Sequence, residues 1–146
     1  MARREVEGSV RRRDPVVIRA RPIEATPSSA LRAYAGSRLA WSPPDGPTLV
    51  GCGAAATITA GGEDRFDAVR EEAARLFDAL DFAAEGSPPE AITPRFVGGF
   101  SFHDDFDAAS PWRGFPGARF VIPRVQLLDT DGGTWLSVAE VGPDAT

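Results

Sequence analysis

The stretch from Pro94 to Leu128, PRFVGGFSFHDDFDAASPWRGFPGARFVIPRVQLL, decides how this chain is read. Phe96, Gly98, Phe100 and Phe102 alternate with Val97, Gly99, Ser101 and His103. A period of two predicts a strand with one apolar face over 96–103. Glycine inside a strand weakens it, so Gly98 and Gly99 predict a bulge or a close approach by another backbone or side chain. The loop Trp112-Arg113-Gly114-Phe115-Pro116-Gly117 carries two aromatics and reads as packed down against the fold. A second β-rich run follows from Arg119 to Leu128.

Outward from this stretch, turn signals divide the chain. Asp129-Thr130-Asp131-Gly132-Gly133 separates the second run from Thr134–Val141 and predicts an antiparallel hairpin. Upstream, Pro15–Ala20 reads as a strand, and Pro27-Ser28-Ser29 as a helix start, with Leu31 and Tyr34 on one face and Gly36 as the stop. Leu39–Trp41 and Thr48–Gly53 are short strands around the turn Pro43-Pro44-Asp45-Gly46-Pro47. The small-residue tract from Gly51 to Thr59 continues the second of them. The clearest helix spans Asp64–Leu80. Phe66, Val69, Ala73, Leu76, Phe77 and Leu80 form its apolar stripe. Glu63, Asp64 and Asp67 stand at its start, where carboxylates suit the positive end of the dipole. Ala83–Pro94 reads as a linker. One main amphipathic helix, a short second one and strands out of βαβ order predict an α+β fold with a largely antiparallel sheet.

With 146 residues, the chain can bury the core of one domain. No apolar run approaches the roughly 20 residues that span a bilayer, so no membrane partner is expected. The basic residues 1–14 read as a flexible arm before a domain over 15–146; Arg3, Arg4, Arg11, Arg12 and Arg13 lack the apolar stretch of an export signal. A lone cysteine, Cys52, cannot form an internal disulfide. Together these features give a cytoplasmic expectation. A net charge of −5 argues against general nucleic-acid binding, which needs a basic field. All sixteen basic residues are arginine. Lysine Schiff bases and lysine general bases are therefore outside this chain's chemistry.

Candidate chemistry is sparse. His103, Asp104, Asp105 and Asp107 alone have metal-ligand character. They are close neighbours after a strand, where successive side chains diverge, and read as a solvated loop. His103 has the side-chain type of a general acid or base, but no partner nucleophile accompanies it. Cys52, between Gly51 and Gly53, reads as a buried structural thiol, since a nucleophile needs a base and an electropositive setting. Arg95, Arg113, Arg119 and Arg124 could grip a carboxylate, yet arginine on a strand more often faces solvent or a neighbouring acid. No residue is assigned a catalytic, cofactor-binding or metal-binding role.

The pattern R-F-x-G-G-F-x-F followed by W-x-G-F-P-x-A-x-F-V-x-P-R resembles the N-terminal part of isochorismate synthase, among the chorismate-utilising enzymes. Arg38–Gly46, Gly51–Ala55 and Gly62–Phe66 add to the resemblance, in the same order along the chain. It implies an incomplete N-terminal part of that family's fold, a scaffold without the C-terminal chorismate-binding catalytic region. Family enzymes convert chorismate to isochorismate, towards menaquinone or catechol siderophores. They use a lysine to activate water, a glutamate acid for the leaving hydroxyl, and Mg²⁺ held by other glutamates. The resemblance places those groups in the C-terminal half, so this chain is expected to bind no Mg²⁺ and to be inactive alone. Its expected partner is the catalytic half, with self-association where sheet edges and apolar side chains of 96–106 and 119–128 meet water. Two other classes remain: a binding module for a small aromatic acid, and an interaction domain pairing through a sheet edge.

Overall fold

The computed structural model describes residues 15–103 and 109–141. The basic arm 1–14, the acidic residues Asp104, Asp105 and Asp107, and Gly142–Thr146 lie outside the described residues. The fold is α+β and mostly antiparallel. Strands β1 (Val16–Ile23), β2 (Arg38–Trp41), β3 (Thr48–Cys52), β5 (Asp81–Ala84), β8 (Val125–Thr130) and β9 (Gly133–Val141) form a six-stranded sheet ordered β2-β3-β8-β9-β1-β5. Strands β4 (Ala56–Ala60), β6 (Val97–Phe100) and β7 (Ala118–Ile122) form a three-stranded sheet ordered β4-β7-β6. Helix α1 (Pro27–Ala33) lies against β3 and β8, and helix α2 (Arg65–Asp78) against β4 and β7.

Alternation builds the large sheet. Val16, Ile18 and Ala20 of β1 are buried, while Arg19 and Arg21 face water. Opposite them on β9, Ala139 pairs with Ile18 and Ser137 with Ala20. In the centre, Leu128 of β8 stands between Leu49 of β3 and Trp135 of β9. The hairpin joining β8 to β9 forms where the turn signal predicts it. Thr130 pairs with Gly133, and Gly133 sits at φ 114°, a left-handed conformation that favours glycine.

Two long runs break where single strands were expected. The tract Gly51–Thr59 ends one strand at Cys52 and starts another at Ala56, in the other sheet. Gly53 makes the corner at φ 66°. The run Arg119–Leu128 divides at Pro123-Arg124, again between sheets. Proline carries no N–H for a ladder. Pro123 is buried against Gly51, where an added Cβ would lie 2.8 Å from its Cγ. The two crossings are tied together: Ala55 N–H donates to the Ile122 carbonyl at 2.8 Å.

The expected linker Ala83–Pro94 is structured. Its start belongs to β5, the one parallel partner of β1. Arg19 donates to the Asp81 carboxylate at 2.7 Å across that pair, and this bond holds the exposed Asp81 carboxyl below its usual range. A 3-10 turn at Glu90–Ile92 then drives Ile92 into the core beside Leu49, Leu128 and Trp135. In the sequence Asp-Phe-Ala-Ala only Phe82 favours a strand by propensity. The open edge of β1 supplies the hydrogen bonds.

The α2 stripe is only partly inward. Val69 and Leu76 are buried, whereas Phe66 is 49% and Phe77 42% exposed. The stripe is wider than the three-stranded sheet beneath it, so its aromatic ends overhang. Phe77 retains one edge contact, with Phe96 at 5.3 Å between ring centroids. Replacing Phe77 by Ala is therefore expected to cost about 1–2 kcal/mol, below the roughly 3–5 kcal/mol of a fully buried phenylalanine. Urea unfolding of both proteins measures it; a loss above 3 kcal/mol would place Phe77 in the core after all.

Candidate functional site

The expected strand 96–103 is four residues long, Val97–Phe100, and lies at the edge of the small sheet. It ends where Ser101 turns inward. The Ser101 N–H donates to the Gly117 carbonyl at 2.8 Å, and its hydroxyl bonds the Gly117 and His103 carbonyls. Phe102 beyond it is fully exposed. Gly98 is where another backbone comes close: an added Cβ would lie 2.0 Å from the Arg119 carbonyl oxygen and 2.6 Å from the Phe120 Cα. Gly99 has open space at the same position. The pair of glycines thus divides its work. One lets β7 approach, and the other presents bare backbone on the outer face.

Aromatic rings line the helix side of this strand. Phe66 packs on Phe100 at 4.4 Å, and Phe100 on Phe120 at 4.9 Å. With Phe77 and Phe96 they wall an open groove of about 570 Å³ between α2 and β6. The groove's charged lining consists of Arg70 and Arg95. A second groove, about 410 Å³, continues past Val97 and Gly98 to Trp41, which is 63% exposed. The exposed rings here come from three elements: Phe66 and Phe77 from α2, Phe100 from β6 and Trp41 from β2.

Behind the Phe66–Phe100 pair lies Arg65, 7% exposed and absent from the arginines singled out in the sequence. It donates to the Gly62 carbonyl at 3.0 Å and the Ser101 carbonyl at 3.2 Å. Its guanidinium carbon stands 4.6 Å from the Phe66 ring centre. Its Nε has no hydrogen-bond partner among the described residues. Position in the helix's first turn gave no sign of burial, because the contact is made by Ser101, thirty-six residues away.

The other candidates scatter. His103 and Arg113 share the rim of a cleft of about 950 Å³ with Phe102, Trp112, Phe115 and Arg119. Trp112 and Phe115 were expected to pack down, yet they are 58% and 63% exposed. They meet each other edge to face at 5.7 Å, which removes part of their surface from water without reaching the core. Arg95 donates to the Ala91 carbonyl at 2.5 Å and lines the aromatic groove with Arg70. Arg124 is exposed at the sheet-crossing corner beside Gly53. Cys52 is buried, and burial pushes its thiol above the usual range against the opposing pull of Arg38. A raised thiol holds its proton and is a poor nucleophile. Among the described residues no three histidine, cysteine or acidic side chains gather to hold a metal ion. No described helix is long and apolar enough to cross a membrane.

Comparison with known proteins gives one finding that agrees with this geometry. A family model described as a chorismate binding enzyme matches residues 10–144, a span containing both sheets and both helices. Neither the curated proteins nor the solved structures yield a match. The family match covers most of the chain, and the chain belongs to the chorismate binding enzyme family.

Proposed function

We propose that this chain is the N-terminal, non-catalytic part of an isochorismate synthase, a scaffold that docks a chorismate-binding catalytic part. The observation that carries the reading is the β6 edge, where exposed aromatics lie beside a strand edge that has no partner among the described residues. The absence of lysine supports it, since the water-activating base of the resembled enzymes must then come from elsewhere. The scaffold's contribution is to hold the catalytic part's strands in place. Orientation of reacting groups is worth several kcal/mol of barrier, and it depends on rigid support around the site.

The isolated chain is expected to give no isochorismate from chorismate, with or without Mg²⁺. Co-expression with the catalytic part of a menaquinone-type isochorismate synthase is expected to yield a co-purifying pair that forms isochorismate. Product formation at an enzyme-like rate by this chain alone would overturn the reading. So would a catalytic part that neither binds the chain nor gains activity from it. Thermal stabilisation of the isolated chain by chorismate would instead favour a small-ligand module.

A further inference from the structure

The charges around the β6 edge say what kind of chain fits it. Among the described residues β6 pairs with β7 alone. The Ser101 N–H points to β7, bonded to Gly117. Successive residues of an antiparallel strand turn their N–H and C=O to alternate sides. Gly98 and Phe100 therefore direct theirs to the open edge. Beside that edge the aromatic groove has no carboxylate in its lining. Of its two arginines, Arg70 is paired with Asp67 at 3.1 Å. Arg95 has only the Ala91 carbonyl, and no carboxylate within ion-pair distance among the described residues. Arg65, buried behind Phe66, bonds carbonyls alone and keeps an unpartnered Nε. A buried guanidinium without a counter-charge is destabilising by itself. Among the described residues the aromatic groove's charged lining is thus arginine alone, on a chain whose net charge is −5, and Asp45 enters only the lining of the groove that continues past Gly98.

We infer that β6 is a strand-addition site for an extended acidic segment, apolar on the side that meets Phe66, Phe77 and Phe100 and bearing a carboxylate that meets Arg95. The inference names the recognition chemistry of the docking face proposed above and rests on that reading. Backbone pairing with Gly98 and Phe100 supplies affinity, and the alternate side chains supply specificity. The carboxylate also lies in the field of Arg65, where the surrounding rings weaken screening by water. A second copy of this chain fits poorly. Its own β6 would bring Arg95 against Arg95, and β6 itself carries no acid.

The test is a display library of random ten-residue peptides selected on the purified chain. Enriched peptides are expected to alternate apolar residues and to carry net negative charge. Arg95→Glu is expected to weaken them at least tenfold, and 1 M salt to weaken them as well. Hydrogen exchange at the Gly98 and Phe100 amides is expected to slow at least tenfold on binding. Arg95 is exposed, so its replacement leaves the core alone; Arg95→Gln, keeping size and losing charge, should fall between. Enrichment of neutral or basic peptides, no enrichment, or protection elsewhere would overturn the inference. Protection of Gly98 and Phe100 by raising the concentration of the chain alone would overturn it in favour of a second copy. Co-purification with the catalytic part is a separate readout. If that pair forms and Arg95→Glu leaves it intact, the strand-addition site fails while the scaffold reading stands; if acidic peptides bind β6 and no pair forms, the reverse holds.

Discussion

Replacing Gly98 by Ala is expected to destabilise the fold by about 2–3 kcal/mol, whereas Gly99→Ala changes it by no more than about 0.5 kcal/mol. The two residues are neighbours on the same strand, so β propensity and the loss of backbone freedom in the unfolded chain are alike for both. They differ in what a methyl group meets. At Gly98 it would stand 2.0 Å from the Arg119 carbonyl oxygen and 2.6 Å from the Phe120 Cα, both backbone atoms of the paired strand. Neither can swing aside like the end of a side chain, so β6 must part from β7. That movement pulls Phe100 from Phe120 and loosens the Ser101–Gly117 bond. At Gly99 the methyl meets nothing within 4 Å. Urea unfolding of the three proteins decides the matter. Equal effects at the two positions would mean that β6 does not sit against β7 in this register.

Leu128→Ala is expected to cost about 2–5 kcal/mol, the range for emptying a leucine-sized volume in a core. Leu128 has no exposed surface and sits mid-sheet on β8. Leu49 and Trp135 flank it through the two ladders, and Ile92 closes over it from the 3-10 turn. Three separate chain segments thus meet on one side chain, and the two strands among them cannot collapse into the gap without breaking sheet hydrogen bonds. The unfolding midpoint in urea gives the magnitude. A loss under about 1 kcal/mol would mean that the turn at Glu90–Ile92 is not packed as described. Phe77→Ala, at the overhanging end of α2, should cost distinctly less than Leu128→Ala.

Periodicity carried the parts of this fold that depend on neighbours in sequence. The strand at Pro15–Ala20, the turn at Asp129–Gly133 and the 3.6-residue stripe of α2 each report a local preference, and each element stands where the sequence places it, β1 running on to Ile23. The close approach at Gly98 was legible too, because a glycine in an otherwise aromatic strand weakens it unless the space is needed. The candidate face was only half legible. Phe66 and Phe77 belong to the apolar stripe of α2, and periodicity cannot tell its covered middle from its uncovered ends. Arg65 carried no signal, since its burial depends on Ser101 and Phe66 closing around it.

What the sequence determined by itself was the α+β class, the main helix, the hairpin, the lack of lysine chemistry and the motif order that resembles the chorismate-utilising enzymes. The tertiary structure alone decided which strands share a sheet. Gly51–Thr59 and Arg119–Leu128 read as continuous runs, yet each crosses between sheets at one shared corner made by Gly53 and Pro123. Asp81–Ala84 is a strand through its pairing with the edge of β1, and Trp112 and Phe115 stay exposed, packed edge to face on each other. The physical reason is common to all of these. Local sequence sets which backbone shapes are cheap, but hydrogen bonds and buried area between distant segments select among them, and those partners are not written next to the residues they organise.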